Sequence, residues 1–386
     1  MKVVVSFTSY PPRIGSVHKV VESLYRQTVK ADEIVLYLSM DEFPRREADL
    51  PETLRRLDGQ EGFRIAWVCG NLKSHKKYYY ALQEYKDAVV ITVDDDKIYA
   101  ETMICDLMKS YERFPDAVSA RSVRIMLRKP ERLEPYCRWE TGAYLEEYAD
   151  APRMDLCAIG AGGICYPVSL VKEEWFHEET ITDTADNCDD LWLKYNEIIR
   201  NIPVVYTKPL QEDVTIENSQ FFRLADNNLY GCGNDTCICE LLMLLKARDA
   251  NHYQTWFRKL MTREKYIKEK KKYYAGVFTS AFEKAGNVPI YFYGAGKRAQ
   301  HFLMILTDLR LTQRITAIIV SNRSGNPASL YGLQVRSLSE INTDSEFAVI
   351  LGVGEANRKE IMDRLAGYDH RKIELDMRVI MRCYQC

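Results

Sequence analysis

The run Val89-Val90-Ile91-Thr92-Val93 leads directly into Asp94, Asp95 and Asp96. Five β-type residues in series read as a strand. Three like charges at its end repel one another unless a cation, a hydrogen-bond network or open water offsets the repulsion. Two explanations stand on the triplet alone. Mg²⁺ or Mn²⁺ takes hard oxygen ligands, typically one or two carboxylates with waters and the phosphates of a substrate. A solvated turn with an acidic helix start uses the same residues without a metal.

The surrounding pattern places this junction in a sheet. Strands are expected at 2–8, 33–38, 64–68 and 89–93, with helices near 16–28 and 75–86. Strand and helix in alternation predict an α/β, largely parallel sheet with covered faces, in which ligands sit beyond the carboxyl ends of the strands. The loop after the first strand, Thr8-Ser9-Tyr10-Pro11-Pro12-Arg13, and the aspartates lie at that end.

A chain of 386 residues has room for more than one domain, and the pattern divides it into three segments. The α/β segment covers 1–235. A helical connector is expected over 236–286, with a basic run from Arg263 to Lys272 that suits either solvent or peripheral contact with anionic lipid. A small Rossmann-like unit is expected over 287–386. Its strand Pro289-Ile290-Tyr291-Phe292-Tyr293 runs into the Gly294-Ala295-Gly296-Lys297-Arg298-Ala299 turn, the strand-turn-helix setting of a phosphate-binding loop. The next strand ends in Ser321-Asn322, without the acidic residue that would hold a dinucleotide ribose.

Basic and acidic side chains number 53 and 55, so the global balance calls for no nucleic acid or acidic polymer as partner. No export-type segment precedes the β-like Lys2-Val3-Val4-Val5, and a cytoplasmic location is expected. The 11 cysteines fit reduced thiols better than a disulfide framework. Cys232, Cys237 and Cys239, and Cys383 with Cys386, lack the paired spacing of a zinc site.

Four stretches of the first segment carry chemistry-bearing residues. The Thr8–Arg13 loop offers hydroxyls, a ring and a guanidinium suited to a base and a phosphate, or serves as a proline-stiffened turn. Lys73-Ser74-His75-Lys76-Lys77 would neutralise a diphosphate, or start a solvated helix. Gly160-Ala161-Gly162-Gly163-Ile164-Cys165-Tyr166-Pro167 permits close approach of backbone to a ligand, or forms a plain turn. Asp189-Asp190-Leu191-Trp192-Leu193 offers a general base, or a helix cap.

In this order, with Thr92-Val93-Asp94-Asp95-Asp96-Lys97-Ile98-Tyr99 between the second and third, these stretches resemble the family-2-like bacterial glycosyltransferases of the GT-A fold, which build surface polysaccharide. The resemblance covers about 1–235. It implies a UDP- or GDP-sugar donor bound by Thr8, Ser9, Tyr10, Arg13, Lys73, Ser74, Lys76, Lys77, Asp94 and Asp95. Asp94 and Asp96 would form the Asp-x-Asp motif, Asp94 toward the ribose and Asp96 on the Mn²⁺ or Mg²⁺ that bridges the phosphates. Asp190, with Asp189 as the second choice, would be the base that deprotonates a glycan or lipid-linked acceptor. Gly162, Gly163 and Tyr166 would lie at the sugar or acceptor, and 228–235 would close the site. A metal-dependent, inverting transferase working at the inner face of the membrane is the expectation.

The C-terminal residues Tyr293-Gly294-Ala295-Gly296, Gly332-Leu333-Gln334-Val335 and Leu351-Gly352-Val353-Gly354 resemble Rossmann-like domains appended to polysaccharide-synthesis enzymes, and the N-terminal domain of sugar acyltransferases. A nucleotidyltransferase and a nucleotide-sensing protein built on that unit are the competing classes. The Thr8–Arg13 loop contains no glycine, which counts against the former.

Overall fold

The computed structural model describes residues 1–141, 148–216, 233–353, 355–368 and 370–373. Two compact units divide the chain, Met1–Arg263 and Glu264–Cys386.

The first unit is built on an eight-stranded sheet. In chain order its strands are β1 (Lys2–Thr8), β2 (Glu33–Ser39), β3 (Phe63–Val68), β4 (Ala88–Thr92), β5 (Val118–Ala120), β6 (Pro152–Arg153), β7 (Ile164–Pro167) and β8 (Val204–Tyr206). Their spatial order is β6-β8-β5-β7-β4-β1-β2-β3. The run from β4 through β1 and β2 to β3 is parallel, as is β5 on β8, while β7 is antiparallel to both its neighbours and β6 to β8. This is the mixed, mostly parallel α/β sheet that the sequence predicts.

The central strands are apolar on both faces because helices cover both. Every residue of β4 is buried, and Val3 to Phe7 of β1 are buried without alternation, as a doubly covered parallel strand requires. Helix α1 (Val17–Tyr25) presents Val17, Val20, Val21 and Leu24 to this core, and α3 (Met103–Arg113) presents Met103, Ile104 and Leu107. The helix expected over 75–86 is interrupted: a 3-10 turn at Lys73–His75 leads into α2 (Lys76–Tyr79), followed by a separate turn of helix at Ala81–Glu84.

Arg121, just after β5, is buried among polar partners. Its guanidinium donates to both oxygens of Asp213 at 3.0 Å, to the Gln211 carbonyl at 2.8 Å and to the Gly162 carbonyl at 3.3 Å. It also lies 3.2 Å from Asp106 of α3. One side chain therefore ties the glycine turn before β7, α3 and the 211–213 segment together. Asp213 in turn accepts from the Ala100 amide at 2.9 Å, and the short ladder of Lys97–Ile98 on Val214–Thr215 continues the same junction.

Helical residues of 236–286 are distributed between the units. Helix α4 (Asp189–Arg200) receives α5 (Gly233–Arg248), and α6 (Ala250–Lys259) follows it within the first unit. Helix α7 (Arg263–Lys284) carries the basic run, in which Tyr266 and Lys270 are buried, and sends Phe278 and Phe282 into the core of the second unit. No helix among the described residues is long and apolar enough to cross a membrane.

The second unit has a six-stranded sheet. Strands β9 (Ile290–Tyr293), β10 (Ala317–Val320), β11 (Ser329–Leu330), β12 (Leu333–Ser337), β13 (Phe347–Leu351) and β14 (His370–Ile373) take the order β11-β12-β10-β9-β13-β14, parallel except at β11. Helix α8 (Lys297–Asp308) follows the glycine turn, and α9 (Glu355–Leu365) follows β13. Gly294 has φ +118°, and a Cβ there would meet Val353 at 3.0 Å; one on Gly352 would strike the Phe292 ring at 2.3 Å. These two glycines serve the approach of β9 and β13.

Arg121→Met would leave Asp106 and Asp213 buried without their cation. A loss on the order of 3–5 kcal/mol is expected for such a broken pair, read as a lower urea midpoint with little change in slope.

Candidate active site

Strands β1 and β4 are neighbours, with Ser6 opposite Thr92, so the loops that follow them emerge at the same sheet end. The first loop turns at once, with the Arg13 and Ile14 amides donating to the Tyr10 carbonyl at 3.0 and 3.1 Å. That turn aims Ser9 and Arg13 at the aspartates. Ser9 Oγ donates to Asp95 at 2.6 Å and Arg13 Nη1 donates to its other oxygen at 2.7 Å. Arg13 Nη1 also lies 3.4 Å from Asp96.

Asp95 is thus an internal anchor, 6% exposed. Burial pushes its carboxyl above the ordinary range, against the opposing pull of Arg13 and Ser9. Ser9, Arg13 and Asp95, expected on the donor side, form a fixed ion pair that holds one loop against the other. Thr8 is likewise engaged, donating to the Tyr37 carbonyl at 2.8 Å. The half-buried ring of Tyr10 has the Arg13 guanidinium 5.8 Å from its centre.

The basic stretch before β4 separates into three directions. Lys73, at φ +49°, pairs with Asp186. Lys76 is buried and donates to Glu42 at 2.5 Å and Asn71 at 2.7 Å, away from the triplet. Ser74 contacts Asp189. Of the three lysines, Lys77 is the one that reaches the acidic centre: its Nζ lies 2.9 Å from Asp94 and 2.7 Å from Asp189. His75 between them accepts from Tyr78 and donates to the Ala185 carbonyl, at 2.9 and 2.8 Å, in its neutral form. Burial holds it there by pushing its pKa down.

Asp189 and Asp190 open the first turn of α4, where the helix end favours negative charge. Burial works to raise the Asp189 carboxyl, but Lys77, His75 and Ser74 together outweigh it and the net shift is downward. Asp190 behaves oppositely: burial, then the adjacent Asp189 charge, push it well above the carboxylate range. Two neighbouring carboxylates with opposed environments are how a fold separates a fixed anion from a proton acceptor. The Gly160 amide donates to Asp190 Oδ1 at 3.1 Å and orients it.

The glycine turn splits in function. A Cβ on Gly160 would lie 2.6 Å from Lys77 Nζ and 2.9 Å from Asp94 Oδ1, so this glycine borders the charged centre. Gly162 is instead required by Ser122, 2.8 Å from its Cβ position, and Gly163, at φ +86°, by Met103 of α3. Tyr166 is 1% exposed and packs edge-on against Trp175 at 6.3 Å, inside the unit. Of the expected 228–235 closure, 228–232 lie outside the described residues. Asn234 accepts from Cys188 Sγ at 3.3 Å and Asp235 from the Tyr136 amide at 2.7 Å, beside the start of α4. Gly160, His75 and Arg121 are contributors that sequence reasoning did not single out.

The charges leave a surplus. Asp94, Asp95, Asp96, Asp189 and Asp190 face Arg13 and Lys77, while Lys97 sends its ammonium to Thr215. Carboxylates therefore outnumber cations at this centre, and burial, with the Asp94 charge, pushes the Asp96 carboxyl upward. A divalent cation fits that deficit, and partly exposed Asp94 and Asp96 supply hard oxygen donors. Among the described residues no three His, Cys, Asp or Glu side chains form a metal cage, so the remaining ligands would come from water and substrate.

No family model and no curated protein matches the sequence. Solved structures give distant likenesses. The chain is similar to S. aureus TarS residues 1–349 at 15% identity, over 82% of this chain and 84% of that one, TM-score 0.39. It is similar to a mannosyltransferase from Pyrobaculum calidifontis in complex with GDP-Man and Mn²⁺, at 12% identity over 81% and 84%, TM-score 0.41. A 4-diphosphocytidyl-2C-methyl-D-erythritol synthase from Anaerococcus prevotii is similar at 12% identity over 59% and 96%, TM-score 0.37.

Behind Asp190 on α4, Lys194 and Glu197 form a fully buried pair at 3.2 Å. Burial pushes the Glu197 carboxyl from an ordinary 4.5 up to about 7, with Lys194 opposing. A carboxyl raised on folding stabilises the fold below its unfolded pKa, and that contribution is lost as pH rises through the folded value. Between about pH 4.5 and 7 the loss is about 3 kcal/mol. Urea unfolding of Glu197→Gln should show a correspondingly flatter dependence on pH over that window; an unchanged slope would contradict the buried assignment.

Proposed function

We propose that this chain is a metal-dependent glycosyltransferase of the GT-A type. It moves a sugar from a UDP- or GDP-sugar to a hydroxyl of a glycan or lipid-linked acceptor in bacterial surface polysaccharide synthesis. The observation that carries the reading is the convergence of the strand-end aspartates and the Asp189-Asp190 pair on one centre, with a charge deficit suited to a divalent cation. A bound Mn²⁺ or Mg²⁺, held by Asp96 and Asp94, supplies Lewis-acid stabilisation of the leaving diphosphate.

The protein's own residues divide the remaining work. Asp190, with its raised proton affinity and its fixed hydrogen bond from Gly160, accepts the proton of the acceptor hydroxyl. The acceptor oxygen forms its bond to the anomeric carbon as the bond to the diphosphate breaks, and the nucleoside diphosphate departs with the electron pair. A single displacement of this kind inverts the anomeric carbon. Asp189, held ionised by Lys77, keeps its neighbour basic. Ser9, Arg13 and Asp95 fix the loop that borders the donor side.

Asp190→Asn should lower transfer by about 10²–10⁴ fold, the usual worth of a general base, while donor binding persists. Asp96→Ala should abolish Mn²⁺-dependent donor hydrolysis. Transfer at the wild-type rate in the first variant, or full metal-dependent hydrolysis in the second, would sink the reading.

A further inference from the structure

Among the described residues, Lys77 is the one side chain seen to touch both the strand-end aspartates and the Asp189-Asp190 pair. It comes from α2, Asp94 from the end of β4, and Asp189 from the start of α4. A lysine serving a diphosphate points its ammonium into an open cleft, whereas Lys77 is 5% exposed and its charge is spent inside the protein. Its carbonyl accepts from Ser6 Oγ of β1 at 2.5 Å, which fixes the root of the side chain to the central sheet. Gly160 sets the other wall, leaving the space in which the ammonium meets Asp94 while its amide holds Asp190.

We infer that Lys77 is a positioning residue: an ionic link, housed by Gly160, that sets the spacing between the donor-side carboxylate Asp94 and the acceptor-side pair Asp189-Asp190. The inference rests on the transfer reading for its consequence, but the link itself does not. Sugar transfer needs the anomeric carbon, held from the donor side, and the acceptor oxygen, held from the base side, within bonding approach, and small misplacements are costly. A tetrahedral ammonium on a flexible stem serves two carboxylates from different elements, whereas the planar fork of arginine favours one carboxylate in bidentate form.

Two variants of the full chain separate this role from general packing. Gly160→Ala keeps every charge and drives a methyl group against Nζ. Its turnover is expected to fall at least about tenfold, while the donor KM changes by less than about threefold. Lys77→Met removes the link, and its melting temperature should drop. Part of that drop should return when Asp94→Asn or Asp189→Asn is added, because each relieves a carboxylate left unpaired. Strictly additive melting shifts would overturn the link. Wild-type turnover in a folded Gly160→Ala variant would overturn its positioning role. Non-additive melting shifts in a chain that transfers no sugar would uphold the link and overturn the transfer reading instead.

Discussion

Five carboxylates share one end of one sheet, and Arg13 and Lys77 are buried with them. Their repulsion would otherwise exceed what a strand-end turn can sustain away from water. Each cation takes a different pairing: Arg13 clamps Asp95 and leans on Asp96, and Lys77 bridges Asp94 to Asp189. The loops after β1 and β4, the 3-10 turn into α2 and the first turn of α4 therefore occupy mutually dependent positions. The glycine turn fits between them through Gly160, and Arg121 holds the far side of that turn to α3 and the 211–213 segment. Carboxylates still outnumber cations after this internal pairing, and Asp94 and Asp96 are the partly exposed members of the triplet.

Much of this was legible in the sequence, at the level of elements. The aspartate junction, the loop after β1 and the acidic pair at a helix start are local patterns, and strand-helix alternation places the first two at the same end of a largely parallel sheet. Individual side-chain duties were not legible, because they are decided by partners far along the chain. Lys73, Lys76 and Lys77 look alike in sequence, yet they pair with Asp186, Glu42, and Asp94 with Asp189, respectively. Asp95 is set apart from Asp96 by its burial and by the hydrogen bonds it accepts from Ser9 and Arg13. Gly160, Gly162 and Gly163 form one run, and only the third dimension shows that the first borders the charges while the others are packing requirements. Arg121 carried no local signal, and its role depends on Asp106 and Asp213 on either side of it in the chain.

The second unit makes a similar point about motifs. Its Gly-x-Gly-x-x-Ala turn does precede a helix, but Gly294 is held in its left-handed conformation against Val353 and Gly352 of the neighbouring strand end. Within that turn Gly294 is required by the close approach of β9 and β13, while a Cβ on Gly296 would meet open space. Charge, burial and close backbone approach coincide in the first unit.

The central claim is that Asp94 and Asp96 hold a divalent cation together with a nucleotide-sugar diphosphate. Thermal melting of the intact chain with UDP- and GDP-sugars, with and without Mn²⁺, tests it most directly, because a ligand that binds only the folded state raises its melting temperature. The account predicts a rise that requires metal and nucleotide sugar together. A rise of equal size without metal, or none with any donor, would contradict it.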